Sequence, residues 1–96
     1  MMIVITYDVN TETPDGIKRL RNVAKTCERY GMRVQHSVFE VLVDGAQLAV
    51  LKESLLEIID ATQDTVRFYH LGSNYQKRIE RIGCTPVTEV GKELIL

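Results

Sequence analysis

An apolar run at the start of the chain constrains the fold more than any other feature. Within residues 2–7, five side chains are apolar and three of those are β-branched. This composition is typical of a strand buried in the middle of a sheet. Asp8 ends the run, and a carboxylate there needs a metal, a cation, N–H donors or a place at the rim of the sheet. The first strand therefore predicts both a core element and a candidate functional carboxylate.

Two helices follow from capping residues and apolar spacing. Thr13 is the predicted N-cap of a first amphipathic helix over residues 14–30, with apolar side chains recurring at intervals of three and four. Asp44 and Gln47 match a capping box, which predicts a second helix over residues 45–60.

The remaining periodic segments predict strands. Residues 32–43 are extended, but their alternation changes phase near residues 37–38, which indicates either two short strands or one kinked strand. Residues 65–71 form a further strand, and residues 79–82 form a possible short edge strand. The order strand, helix, strand, strand, helix, strand predicts an α+β, ferredoxin-like βαββαβ fold with an antiparallel sheet.

Length and composition limit the organisation of the molecule. Ninety-six residues predict one domain over residues 1–83 and a tail over residues 84–96. The tail ends in three apolar residues, so we expect it to form a strand or segment that packs on the dimer or on a partner. No apolar run is long enough to span a membrane, and Cys27 and Cys84 are too few for a disulfide framework or a zinc site. We expect a cytoplasmic protein.

Charge is segregated along the chain although the net charge is only −1. Residues 17–33 contain six basic residues and one acidic residue, a net charge of +5, whereas residues 40–64 contain six acidic residues and one basic residue, a net charge of −5. One surface is therefore expected to attract a polyanion. A second, weaker set of basic candidates is Arg67, Lys77 and Arg78.

Four segments in order carry a family resemblance: residues 5–9, 18–25, 34–40 and 67–71. Over residues 2–83 the chain resembles the second CRISPR-associated protein family, the small partner of the adaptation integrase. The resemblance implies a homodimeric endonuclease that cleaves RNA or DNA phosphodiesters with Mg²⁺ or another divalent cation such as Mn²⁺ and takes part in spacer acquisition. It also implies an alternative, a non-catalytic dimeric scaffold that binds duplex prespacer DNA and the integrase.

The resemblance assigns roles to particular residues. Asp8 is the implied catalytic residue and metal ligand. The family's other characteristic positions correspond to Tyr7, Arg19, Arg21, Arg33 and Phe39. From the residues alone, we predict phosphate contacts by Lys18, Arg19, Arg21, Lys25 and Arg33. Possible supporting residues are Tyr7, Asn10 and Phe39, of which the two aromatic residues lie at core positions of their strands.

The residues also leave other interpretations open. A single carboxylate, that of Asp8, supplies few ligands for a complete metal site. A two-fold dimer would improve the site by bringing two carboxylates to one ion. In the alternative interpretation, Asp8 caps a turn, and the basic residues between 17 and 33 form a solvated helix face. A small-ligand regulator and a toxin-type RNase of the same fold are further alternatives.

Overall fold

The computed structural model describes residues 1–83, and the predicted tail lies outside the described residues. The elements are β1 (Met2–Asp8), α1 (Pro14–Glu28), β2 (Gly31–Gln35), β3 (Val38–Leu42), α2 (Gly45–Ile58), β4 (Thr65–Gly72) and a short 3₁₀ helix (Tyr75–Arg78). No helix within residues 1–83 is long and apolar enough to cross a membrane.

The four strands form one antiparallel sheet in the order β2-β3-β1-β4. The first strand pairs with β3 on one side and with β4 on the other, which confirms its predicted central position. This arrangement confirms the α+β, ferredoxin-like fold.

Alternation along β1 divides its side chains between the two faces of the sheet. Ile3, Ile5 and Tyr7 are buried in the core with residues of α1 and α2 such as Val23 and Leu51. The intervening positions lie on the other face, which we call the open face because neither helix contributes to the core there.

Local capping fixes where both helices begin. The Thr13 hydroxyl accepts a hydrogen bond from the Gly16 N–H at 3.1 Å at the start of α1. At the start of α2, the Asp44 carboxylate accepts from the Gln47 N–H at 2.7 Å, while the Gln47 side chain accepts from the Asp44 N–H at 2.9 Å. The capping box predicted from the sequence is therefore present.

The change of alternation near residue 37 is a hairpin turn, so the two-strand alternative is the one that the structure adopts. The pairing of β2 with β3 also shifts register between Arg33 and Gln35.

The prediction of an edge strand over residues 79–82 is wrong. These residues follow the short 3₁₀ helix without joining the sheet. Arg81 instead forms an ion pair with the buried Glu40 on β3, with Nη2 at 3.2 Å from Oε1. Within residues 1–83, this segment therefore contacts the open face of the sheet through the side chain of Arg81 and adds no strand to an edge.

Candidate functional site

Asp8 lies at the carboxyl end of β1, on the open face and exposed to solvent. Antiparallel pairing places Thr65 opposite Asp8 and Arg67 opposite Thr6. These four residues and the edge of Tyr7 line a cleft of about 210 Å³. Within residues 1–83, the Asp8 carboxylate makes no hydrogen bond or ion pair. A strand that is otherwise in the core thus ends in an available carboxylate.

The donor set of this cleft fits a divalent cation of the magnesium type. Mg²⁺ keeps several water ligands and binds through one or two carboxylates, and hydroxyl and carboxylate oxygens are its ordinary partners. Asp8 would hold the ion, with the hydroxyls of Thr6 and Thr65 lining the same cleft. In the described part of the chain, no group of three or more His, Cys, Asp or Glu residues is placed to hold a metal. Among residues 1–83, the lining of this cleft thus offers an ion a single carboxylate, that of Asp8.

Arg67, which the sequence offered only as a weaker candidate for phosphate contact, also lines this cleft. Its position in a basic cluster was visible, but its proximity to Asp8 depends on the pairing of β1 with β4, which joins residues about 60 positions apart. A guanidinium beside a carboxylate is suited to bind a phosphate whose other oxygens face a cation. The information that would have placed Arg67 near Asp8 is the antiparallel register of β1 with β4.

Arg19 differs from the other predicted phosphate-binding residues because it is paired inside the protein. Its Nε donates to Asp64 Oδ2 at 2.8 Å, and its Nη2 lies 3.4 Å from Asp64 Oδ1. The Asp64 side chain is fully buried, and it also accepts from the backbone N–H groups of Asn10 at 3.0 Å and Asp60 at 2.9 Å. This placement removes Arg19 from the set of residues that we propose for phosphate contact.

The contacts of Asp64 tie the loop after β1 to the loop before β4. Asn10 is held through its backbone, since its carbonyl also accepts from Arg19 Nη2 at 3.4 Å. Burial alone would raise the Asp64 pKa, but the hydrogen bonds from Arg19 and from the Asp60 and Asn10 N–H groups outweigh it and hold that pKa below its ordinary value. Asp64 therefore stays ionised and fixes the chain two residues beyond Asp8. Sequence analysis gave Asp64 no such role.

The remaining basic candidates lie on the helix side of the sheet and not beside Asp8. Arg21, Lys25 and Arg33 line a groove between α1 and the β2–β3 turn, and Lys18 is exposed on α1 outside it. Arg33 also pairs with Glu28 at 3.6 Å. The structure thus separates the predicted site residues into an open-face cleft and a helix-side groove.

Tyr7 and Phe39 support these surfaces from within the core. Their rings are stacked with centroids 6.1 Å apart, and the Arg33 guanidinium lies 5.3 Å from the Phe39 centroid. The Tyr7 hydroxyl donates to the His36 carbonyl at 3.1 Å, and its N–H donates to the Ser37 carbonyl at 3.1 Å. Burial raises the pKa of Tyr7 despite the nearby Arg33, so the phenol stays protonated as a donor.

Comparison with known proteins identifies a family that shares the sequence of this chain. The family model for CRISPR associated protein Cas2 matches residues 1–79. The CRISPR-associated endoribonuclease Cas2 of Chlorobaculum tepidum is 52% identical over 96 residues, which cover 100% of both chains. The CRISPR-associated endonuclease Cas2 of Halalkalibacterium halodurans is 50% identical over 95 residues, covering 99% of both chains.

A solved structure agrees with the sequence comparisons. The crystal structure of Streptococcus pyogenes Cas2 matches with a TM-score of 0.77 and 57% sequence identity, covering 86% of this chain and 100% of that chain. The match covers most of this chain and all of the other. It confirms the family resemblance that was based on the four sequence segments. The chain belongs to the Cas2 family of CRISPR-associated proteins.

Proposed function

We propose that this protein is a divalent-metal-dependent endonuclease that cleaves RNA or DNA phosphodiesters and takes part in spacer acquisition. The observation that carries the proposal is the exposed Asp8 carboxylate, which has no hydrogen bond or ion pair within residues 1–83, in a cleft that it shares with Arg67. The names of these relatives, endoribonuclease and endonuclease, support a nuclease activity for this chain as well.

Each group in the cleft has a distinct task in this proposal. A bound divalent ion, Mg²⁺ or Mn²⁺, lowers the pKa of a coordinated water and offsets charge on the phosphate oxygens. Asp8 holds that ion at the end of a strand fixed on both sides by pairing. Arg67 binds and orients the scissile phosphate, and Tyr7 keeps the end of β1 attached to the neighbouring turn.

A homodimer completes this site. One carboxylate per chain is weak for a metal site, and a two-fold axis near the end of β1 would present both copies of Asp8 to a shared ion. The exposed position of Asp8 on the open face is compatible with such an approach. Sedimentation analysis of the wild type, with and without Mg²⁺, measures the predicted dimer directly.

The nuclease proposal is tested by cleavage of labelled single-stranded RNA and duplex DNA with Mg²⁺, with a chelator, and with Asp8→Asn. We expect Asp8→Asn to lose more than about 100-fold in cleavage, because even outer partners of metal ligands contribute about 10–100-fold. Asp15→Asn is the matched control, since Asp15 is an exposed aspartate in the first turn of α1, outside the Asp8 cleft. Cleavage that persists in Asp8→Asn would contradict the assignment.

A second candidate function is a non-catalytic scaffold that binds duplex prespacer DNA and the CRISPR integrase. The observation that favours it is the lack, within residues 1–83, of any cluster of three metal-ligating side chains. Basic residues of α1 would contact the duplex, and the exposed acidic residues Glu53 and Glu57 of α2 would face the integrase.

The scaffold predicts salt-dependent duplex binding that is unaffected by a chelator and by Asp8→Asn. It also predicts that Glu53→Lys with Glu57→Lys weakens association with the purified integrase while duplex binding stays unchanged. Cleavage that requires both metal and Asp8 would instead establish the enzyme.

A further inference from the structure

A groove of about 450 Å³ lies between α1 and the β2–β3 turn, on the helix side of the sheet. Its aliphatic lining comes from Ile17, Leu20 and Ala24. Ile17 is 49% exposed despite its hydrophobic side chain. Apolar surface left open in a concavity of this size is typical of pockets that take a small organic group.

Cations surround this aliphatic lining. Ile17, Arg21 and Lys25 follow one another at intervals of four and so form one stripe along α1. Within residues 1–83, Arg21 and Lys25 make no hydrogen bond or ion pair. Arg33 supplies a third cation, and the one acidic lining residue, Glu28, is paired with it at 3.6 Å. The groove therefore combines an apolar interior with two available cations.

The wall opposite α1 is held in place by Tyr7. Its hydroxyl and its N–H donate to the carbonyls of His36 and Ser37, which fastens the turn to β1. A pocket whose two walls are fixed before the ligand arrives loses less conformational freedom on binding. Tyr7 belongs to the lining of both the groove and the Asp8 cleft, although the two lie on opposite faces of the sheet.

We propose that this groove binds one unpaired nucleotide of a nucleic-acid strand. The base lies on the aliphatic lining of Ile17, Leu20 and Ala24, and the flanking phosphates bind Arg21 and Lys25. In a continuous duplex the faces of the bases stay stacked within the helix, so a protein surface meets only phosphates, sugars and base edges, and no base face can lie on an aliphatic lining. The inference rests on the nucleic-acid binding proposed above and adds a substrate class: strands that offer at least one unstacked base.

The test compares binding of short fluorescent oligonucleotides that carry bases, the same strands with abasic positions, and a duplex. We expect wild-type protein to bind the base-containing single strand about tenfold more tightly than the abasic strand, as one base contact on a protein surface provides. Ile17→Gln should remove most of that preference and leave abasic-strand and duplex binding unchanged. Leu56→Gln is the matched control, because Leu56 is an exposed aliphatic residue on α2 outside the groove.

Two outcomes separate this inference from the function on which it rests. Equal affinity of the wild type for base-containing and abasic strands overturns the nucleotide site without the use of any variant. If Lys25→Ala still weakens binding to every strand in that case, phosphate binding by the cations of α1 stands and only the base contact is excluded. If no strand binds at low salt, the proposed function itself fails. Thermal melting of Ile17→Gln and of the milder Ile17→Ala confirms that each variant is folded.

Discussion

The buried carboxylate of Asp64 makes a quantitative prediction about the stability of the loop beside Asp8. Each of its oxygens accepts two hydrogen bonds, Oδ1 from the Asn10 N–H and Arg19 Nη2, and Oδ2 from Arg19 Nε and the Asp60 N–H. Asp64→Asn keeps the shape of the side chain but replaces one oxygen with an NH₂ donor. Whichever oxygen is replaced, two donors lose their acceptor and face another donor.

The expected loss follows from those two hydrogen bonds. Each hydrogen bond to a charged group contributes about 1.5–3 kcal/mol, so two at the lower value give a loss of about 3 kcal/mol in the free energy of unfolding. For a domain of this size, that corresponds to a fall in melting temperature of about 12–24 °C. Urea denaturation followed by circular dichroism at pH 7 measures the change. Glu57→Gln, at an exposed position of α2, should change the free energy of unfolding by less than about 0.5 kcal/mol.

The loss of stability in Asp64→Asn should also depend on pH, and the direction of the shift in the Asp64 pKa sets the sign of that dependence. Because that pKa is lowered in the folded state, the stabilisation is present above the unfolded pKa, near pH 4, and is lost as pH falls through the folded pKa. The difference in the free energy of unfolding between wild type and Asp64→Asn should therefore have its maximum value at pH 7 and decrease below about pH 4. A loss under 1 kcal/mol at pH 7, or a difference that grows on acidification, would refute this account of Asp64.

Three further predictions concern the packing beneath the two surfaces. Gly31→Ala should destabilise the protein by more than about 2 kcal/mol in urea denaturation, because its new Cβ would meet the backbone of Glu40 and Val41; equal stability would contradict the close approach of β2 to β3. Asp44→Ala should cost about 1 kcal/mol through loss of the capping box, measured in the same way, and a neutral result would exclude the cap as a stabilising contact. Burial raises the pKa of the Cys27 thiol to about 12, so in a Cys84→Ser background a thiol reagent at pH 8 should modify the protein only after denaturation; rapid labelling of that variant in its native state would refute the burial of Cys27.

Features determined by residues close in sequence were predictable. The cap at Thr13 and the capping box of Asp44 with Gln47 each depend on side chains within three positions of the helix start. The central position of β1 followed from its uninterrupted apolar composition. The phase change near residue 37 was visible as well, although only the structure identified a hairpin turn as its cause.

Features determined by residues distant in sequence were not predictable. Arg19 and Asp64 are separated by 45 positions, and nothing in the sequence of the basic residues between 17 and 33 distinguished this buried ion pair of Arg19 from the exposed cations around it. The proximity of Arg67 to Asp8 likewise requires the register of β1 with β4. The strand predicted at residues 79–82 is absent, and the contact that Arg81 makes instead, an ion pair with Glu40, joins residues 41 positions apart.

The central position of β1 also determines how late in synthesis the sheet can be completed. β1 leaves the ribosome first, but its two neighbours, β3 and β4, end at Leu42 and Gly72. Until residue 72 has emerged, one edge of this apolar strand exposes unpaired N–H and C=O groups. Such an edge is a template for pairing with another chain, and long-range pairing is slow to form. The nascent chain therefore keeps an aggregation-prone edge even when α2 is complete, until β4 has been made.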